Sequence, residues 1–304
     1  MHPIIIIGAG RSGTNMLRDI LVQPPDFGTW PCDEINYIWR HGNMRHPTDE
    51  FAPELATEQV RLFIRRAFAK IAKKQMISYV VEKTCANSLR VSFVKRIFPE
   101  ARFIHIIRDG RDVVASAQKR WVAPLDLPYI MRKARFVPFS DLPYYASRYL
   151  WNRVYRLVSG GQRLAFWGPR FAGMEQALQK YSLAEVCAIQ WQRSVEKAEL
   201  DFEKIAPTRV YRLRYEDFVT CPDVELQRLG AFLKKNISLQ QAKELVREVS
   251  TSSVARWKSE LDQQILASVE SLIGKTLKRH GYQTTFPIVI DTSGTETNEI
   301  TSLI

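Results

Sequence analysis

Hydrophobic positions along the chain change period several times, and each change predicts an element. Residues 3–8 (PIIIIG) are a short continuous apolar run ending in glycine, the pattern of a strand buried on both faces. The polar-apolar mix of 13–22 reads as a helix, and PPDFGTWPCDE after it as a loop rich in Pro and Gly. Over 55–74, Leu55, Val60, Phe63, Ile64, Ala67, Phe68 and Ile71 recur at helical spacing. ISYVVEKT predicts a second buried strand, and SLRVSFVKRIFP a helix ended by Pro99. ARFIHIIRD predicts a third strand and DVVASAQKRW the helix after it. Further on, LAEVCAIQWQRSVEKAELDFEKI is a helix, TRVYRLRYEDF a strand, and DVELQRLGAFLKK and SLQQAKELVREV are helices. The final helix, LDQQILASVESLIGKTLKRHGY, closes on Lys, Arg, His and Gly, a C-terminal signature. Strands alternating with helices predict an α/β fold with a parallel sheet and right-handed crossovers.

Residues 120–180 break the rhythm. From Arg120 to Arg170 there are nine Lys or Arg and two Asp, among many aromatics and several prolines. This reads as a partly helical insertion, either a peripheral packing unit or a wall over a site. Residues 1–285 are expected to form one domain carrying that insertion, and 286–304, polar and Thr-rich toward the end, a disordered tail. No internal repeat is visible.

Composition narrows the classes. No apolar run approaches the roughly 20 residues of a membrane span, and IIII, without a basic flank, is too short for a signal segment. The four cysteines, Cys32, Cys85, Cys187 and Cys221, lack metal-type spacing and are expected to be free thiols in a reducing compartment. The net charge is +12, but the basic residues are dispersed. That favours pockets for discrete anions over a track for nucleic acid.

The first such pocket is GAGRSGTN, residues 8–15. A glycine-rich turn between strand and helix aims successive amides and a helix N-terminus at one point, an anion nest. It matches G-x-x-x-x-G but lacks the following Lys: Thr14 stands there, and the positive side chain is Arg11, inside the loop. Gly8, Gly10 and Gly13 also fit a dinucleotide turn. That reading wants a carboxylate at the end of a second strand, whereas Asp33 and Glu34 follow GTWPC, which is no strand. A second constellation decides the matter. RFIHIIRDGRDVVAS puts Arg108 at the end of a buried strand and Ser116 on the next helix. A guanidinium fork and a hydroxyl suit a phosphate dianion. Two anion sites on neighbouring strand ends describe a ligand phosphorylated at two positions.

With these motifs the sequence resembles the sulfotransferases that use 3′-phosphoadenosine 5′-phosphosulfate (PAPS), over most of residues 3–285. GAGRSGTN is similar to the family's 5′-phosphosulfate loop, in the Arg-containing form of the tyrosylprotein and bacterial carbohydrate branch. RDGRDVVAS is similar to its 3′-phosphate motif, and RYEDF and WQRSVEKA to further family segments. The resemblance implies a three-layer P-loop-like fold, a central parallel sheet flanked by helices. It implies PAPS as sulfuryl donor, 3′,5′-ADP as product, and no metal. It assigns Arg11, Ser12, Gly13, Thr14 and Asn15 to the 5′ end, Arg108 and Ser116 to the 3′-phosphate, and Tyr215, Ser253 and Arg256 to the nucleotide.

The implied reaction is in-line attack of an acceptor on sulfur, with the protein positioning groups and neutralising charge; Arg11 counts as catalytic too, its cation and the amides of Ser12 to Asn15 facing the leaving-group oxygen. Lys83, in VVEKT, matches the family lysine at the transferring group. A hydroxyl acceptor needs a base. Glu34 is the choice, with Asp33 open as the alternative because two extra residues precede the pair. Arg111 is read as a solvated loop charge, His105 as a core histidine, and Trp191 and Trp257 as core. The expected acceptor is a glycan or glycolipid hydroxyl, with peptidyl tyrosine and a small alcohol as alternatives, met by Arg132, Lys133, Arg135 and Arg170 of the insertion. The enzyme is expected to be cytoplasmic, with no nucleic-acid partner and at most transient contact with anionic membranes. Two rivals stay open: a P-loop nucleotide kinase, and a catalytically inactive PAPS-binding module.

Overall fold

The structure, a computed structural model, describes residues 1–121, 135–147 and 167–287. Strands β1 (His2–Ile7), β2 (Phe27–Gly28), β3 (Tyr79–Lys83), β4 (Arg102–Ile107) and β5 (Val210–Arg214) form a five-stranded sheet in the order β2-β3-β1-β4-β5, every pairing parallel. β3, not the strand directly after the first helix, lies beside β1. That order is neither of the usual dinucleotide-binding arrangements.

Alternation along the strands sorts the core into two faces. Ile5, Ile7, Val80 and Phe103 pack with α3 (Glu58–Gln75), α4 (Val91–Ile97) and the end of α7 (Leu183–Phe202). Ile4, Ile6, Val81, Ile104, Ile106 and Leu213 pack with α1 (Thr14–Leu21), α8 (Tyr215–Thr220), α9 (Pro222–Phe232) and α10 (Leu239–Leu245). A further apolar cluster joins α5 (Gly110–Trp121), α7 and α12 (Gln263–Arg279). The layers are helix, sheet, helix, as the sequence predicts.

Local chemistry sets the helix ends. Ser182 and Glu185 form a reciprocal capping box at α7, and Ser238 and Gln241 another at α10, each worth on the order of 1 kcal/mol. Two expectations need correction. The loop after α1 contains β2, two residues at the sheet edge, too short to show a period. The strand expected over TRVYRLRYEDF ends at Arg214, and Tyr215 opens α8. Glu216 and Asp217 in its first turn favour the helix end electrostatically, and Glu216 accepts from Asp109 N at 2.9 Å and Tyr282 Oη at 2.8 Å.

Register aligns the strand ends. Ile6 pairs with Lys83, Ile7 with His105, and Ile107 with Arg214. The loop after β1, Lys83, Arg108 and Tyr215 therefore all stand at the C-terminal edge of one sheet. Of the insertion, 135–147 and the segment from 167 are described; Arg132 and Lys133, and the tail from 288, lie outside the described residues.

Candidate active site

The loop between β1 and α1 is held in a conformation that few residues adopt. Arg11 has φ 72° and Gly13 φ 83°. A Cβ at Gly13 would meet the Tyr215 ring at 2.5 Å, so both the backbone angle and the close approach require glycine. Arg11, with a side chain, occupies the left-handed region at a cost. Its carbonyl is held by Arg108 Nη1 at 3.0 Å, and its Nε donates to Ser116 Oγ at 2.9 Å.

Arg108 connects the cluster. Its guanidinium lies 4.4 Å from the Tyr215 ring centroid, and its Nη2 donates to the Ser253 carbonyl. Its own carbonyl accepts from Trp191 Nε1 at 3.1 Å, which ties the strand end to α7. Arg11, Arg108, Ser116, Ser253 and Arg256 line one cavity of about 230 Å³, with Lys119, Arg120, Asp112 and Glu260. The loop arginine thus stands in the same cavity as Arg108 and Ser116, not apart from them. Desolvation, then the cations Arg120 and Arg108, press the Arg11 guanidinium below its ordinary value. Five cations against two carboxylates make a cavity suited to a multiply charged anion.

The second cluster surrounds Lys83. Its side chain is only 2% exposed, so it is no solvated surface charge. Nζ lies 3.1 Å from both Asp33 Oδ1 and Glu34 Oε1. Burial alone would lower its pKa; Glu34 and Asp33 outweigh that and hold it above the ordinary lysine value. Asp33 Oδ1 also accepts from Arg18 Nη1 at 3.1 Å, whereas Glu34 Oε1 accepts from Cys85 N at 3.2 Å. Burial and the Glu34 carboxylate push the Cys85 thiol up to about 12, which leaves it protonated. Thr14 Oγ1 approaches Cys85 Sγ at 3.9 Å, so the phosphate loop and the Lys83 cluster touch.

Beneath the acidic pair runs a buried polar frame. Thr84 Oγ1 accepts from Ile35 N at 3.2 Å and donates to Glu82 Oε1. Glu82 Oε2 accepts from Asn87 Nδ2 at 3.0 Å, and Asn87 Oδ1 accepts from Arg90 Nε at 2.9 Å. Arg90 then donates to Asn36, which donates to Asp49 at 3.4 Å. Both residues after Glu34 are thereby fastened to the core.

The positions singled out from sequence divide cleanly. Arg11, Arg108, Ser116, Tyr215, Ser253 and Arg256 come together, as do Glu34, Asp33 and Lys83. Ser12 and Thr14 are buried in the loop, and Asn15 is exposed at the start of α1. Arg170 Nη2 meets Glu175 at 3.4 Å, Arg170 N donates to Asp49 Oδ2 at 2.9 Å, and Arg135 is exposed. His105, Trp191 and Trp257 are buried, as expected. Arg111 is not solvated: it is buried on α5, paired with Asp109 at 2.7 Å and Glu270 at 2.6 Å, its guanidinium 3.9 Å from the Trp257 ring centroid.

Some contributors carry no local signal. Asp112 accepts from Ala255 N and Trp257 N, each at 2.9 Å, and so seats the 253–257 segment over the cavity. Gln190 Nε2 donates to the carbonyls of Trp167 and Pro169 at 3.0 and 2.9 Å, and the Trp167 ring lies 3.0 Å from where a Gly10 Cβ would stand. Among the described residues no group of His, Cys, Asp and Glu has the geometry to hold a metal ion.

A family model described as the sulfotransferase family matches residues 3–149 and 153–238. The chain belongs to the sulfotransferase family. The match takes in the phosphate-type loop, the Lys83 cluster, Arg108 and Ser116, and Tyr215. Nodulation protein NoeE of Sinorhizobium fredii is 21% identical over 289 residues, 90% of this chain and 64% of its own length. Omega-hydroxy-beta-dihydromenaquinone-9 sulfotransferase Stf3 of Mycobacterium tuberculosis is 26% identical over 151 residues, 49% of this chain and 27% of its own. The chain thus spans less than two thirds of the length of these curated relatives. Among solved structures, the sulfotransferase domain from the curacin biosynthetic pathway superposes with a TM-score of 0.54 at 12% identity, covering 93% of this chain and 98% of that one. Sulfotransferase STF9 from Mycobacterium avium gives 0.52 at 12%, covering 94% and 78%. These neighbours share the sulfotransferase fold.

Proposed function

We propose that this sulfotransferase moves a sulfuryl group from PAPS to a hydroxyl of a carbohydrate or glycolipid. The observation that carries the reading is the pairing of two unlike clusters on one sheet edge: a buried Lys83 between two carboxylates, next to a cation-rich cavity. The second fits the donor. Ser12 Oγ and Arg108 Nε are buried without a hydrogen-bond partner among the described residues, polar atoms that an anion would satisfy. Arg108, Ser116 and Arg11 would hold the 3′-phosphate, with Ser253 and Arg256 closing over it. The amides of Ser12 to Asn15, at the start of α1, would face the 5′ end, with Tyr215 beneath.

Glu34 would take the acceptor proton as the acceptor oxygen attacks sulfur and the bond from sulfur to the 5′-phosphate oxygen breaks. Charge then builds on the departing 3′,5′-ADP, where Lys83 and the loop amides stabilise it. Asp33 is held by Arg18 as well as Lys83, whereas Glu34 meets Lys83 and the Cys85 amide. The name of Stf3 gives that relative a hydroxylated acceptor, which supports an oxygen nucleophile here. The test is calorimetric titration with 3′,5′-ADP and with 5′-AMP, in chelator. Tight binding of the bisphosphate and much weaker binding of 5′-AMP is the expected result. Equal binding of both, or a requirement for Mg²⁺, would overturn the assignment.

A further inference from the structure

Helix α3 carries a face that neither the core nor the active site explains. Its buried stripe, Val60, Ile64, Phe68 and Ile71, packs on the sheet. The opposite face exposes Leu62, Arg66, Lys70 and Lys73 at helical spacing, with Lys74 beside them. The only acid in the helix, Glu58, pairs with Arg61 at 3.0 Å, and Arg65 pairs with Glu100 at 2.7 Å. Arg66, Lys70, Lys73 and Lys74 have no ion-pair partner among the described residues. They form a cationic ridge about two and a half turns long.

Apolar side chains stand at both ends of the ridge. At its C-terminal end Met76 is 91% exposed, in a left-handed cap with φ 55°. A cap of that kind favours glycine or asparagine, so neither the cap nor the core calls for methionine. At the N-terminal end lies the 135–147 segment. His41 stacks on Phe63 of α3 at 3.7 Å and bonds Asp141 at 2.9 Å, and Phe136 packs on the same core. This seating brings Phe139, 91% exposed, and the exposed Leu142 to the end of α3 that carries Leu62. Because α3 leads directly into β3, its N-terminal end lies toward the sheet edge that bears Lys83.

We infer that this face docks on an anionic lipid bilayer, with the cations against the headgroups and Phe139, Leu142, Leu62 and Met76 in the interface. A purely electrostatic polyanion surface would use the cations and have no use for the four apolar side chains; a bilayer uses both. With both ends of α3 on the bilayer, the Lys83 edge would face along the membrane surface rather than into it, a consequence that rests on the transfer reading above.

The test is co-sedimentation of the full chain with vesicles of phosphatidylcholine, with and without phosphatidylglycerol. Binding to the anionic vesicles only, released by salt, is expected. Each cation at an anionic surface contributes about fivefold, so reversing all four (R66E, K70E, K73E, K74E) should weaken binding by more than about a hundredfold. Phe139→Ser with Met76→Ser should weaken it by about tenfold. Both variants alter exposed side chains, and both should keep the wild-type affinity for 3′,5′-ADP, which separates this inference from the donor assignment. Unchanged vesicle binding in the charge variant would overturn it. So would equal binding to neutral vesicles, or binding to heparin or duplex DNA with none to vesicles.

Discussion

The two clusters on the C-terminal edge of the sheet differ in how their charge is balanced. Around Lys83 two cations meet two carboxylates: the almost wholly buried lysine lies 3.1 Å from both Asp33 and Glu34, and Arg18 lies 3.1 Å from Asp33. Around Arg108 five cations face two carboxylates across an open cavity. A balanced, buried set keeps its geometry and can relay a proton; an unbalanced one attracts an anion and gains most when the anion arrives. On the proposed reading, chemistry and capture would be divided between strands β3 and β4, with β1 and its loop between them.

That division is tested by a pair of variants with opposite expected phenotypes. Glu34→Gln should cut kcat by about 10²- to 10⁴-fold and leave 3′,5′-ADP affinity within a few fold. Asp33→Asn should cost less, because Arg18 and Lys83 already engage it. Arg108→Ala should do the reverse, weakening 3′,5′-ADP by about 10- to 100-fold. Calorimetry and steady-state kinetics on the same preparations would decide it. A Glu34→Gln enzyme with near-full turnover would remove the base assignment.

A smaller effect probes the frame beneath the carboxylates. Burial pushes Glu82 up to about 7, so it holds a proton through the acidic range. Thr84 couples it to the backbone at Ile35. Thr84→Val should lower kcat by about tenfold through looser placement of Glu34, with KM for the donor unchanged and Thr84→Ser restoring most of the rate. An equal loss in Thr84→Ser, or a loss confined to thermal stability, would make the frame merely structural.

These two regions were also unequally legible in the sequence. The cation-rich side is built from short continuous stretches, GAGRSGTN and RDGRDVVAS, whose glycines, arginines and serines speak through local spacing. The frame under Glu34 joins Asn36, Asp49, Glu82, Thr84, Asn87 and Arg90, partners up to 54 residues apart. No periodicity connects them; only the crossover that sets β3 beside β1 does. Arg111 misleads for the same reason. Its neighbours in sequence suggest a loop charge, while Glu270, which neutralises it, is 159 residues away. The strand pattern through Arg214 hid the helix that begins at Tyr215, because the acids that favour its N-terminus resemble the polar half of an alternating strand.

The smallest expected effect lies away from both clusters. His105 is buried against Phe202, with rings 5.0 Å apart, and both ring nitrogens lack partners among the described residues. Burial, aided by His280 and Arg212 and opposed by Glu199, lowers its pKa to about 3. Between pH 6.5 and about 3 the unfolded chain binds a proton that the folded chain does not, so stability falls as pH falls through that window. His105→Leu should lose about 2 kcal/mol less stability than wild type between pH 7 and pH 5, by denaturant unfolding. Parallel pH profiles would show that the imidazole finds a proton acceptor.

The points at which the chain leaves and rejoins the core around the 122–166 stretch are both fastened. Trp121 is buried at the end of α5. On return, Gln190 grips the backbone at Trp167 and Pro169, Asp49 and Glu50 accept from Arg170 N and Ala172 N at 2.9 and 2.8 Å, and Phe171 and Met174 enter the core. In evolutionary terms, such paired anchorages make the stretch between them an exchangeable cassette. A lineage can rewrite it while the strand ends at the C-terminal edge of the sheet keep their places.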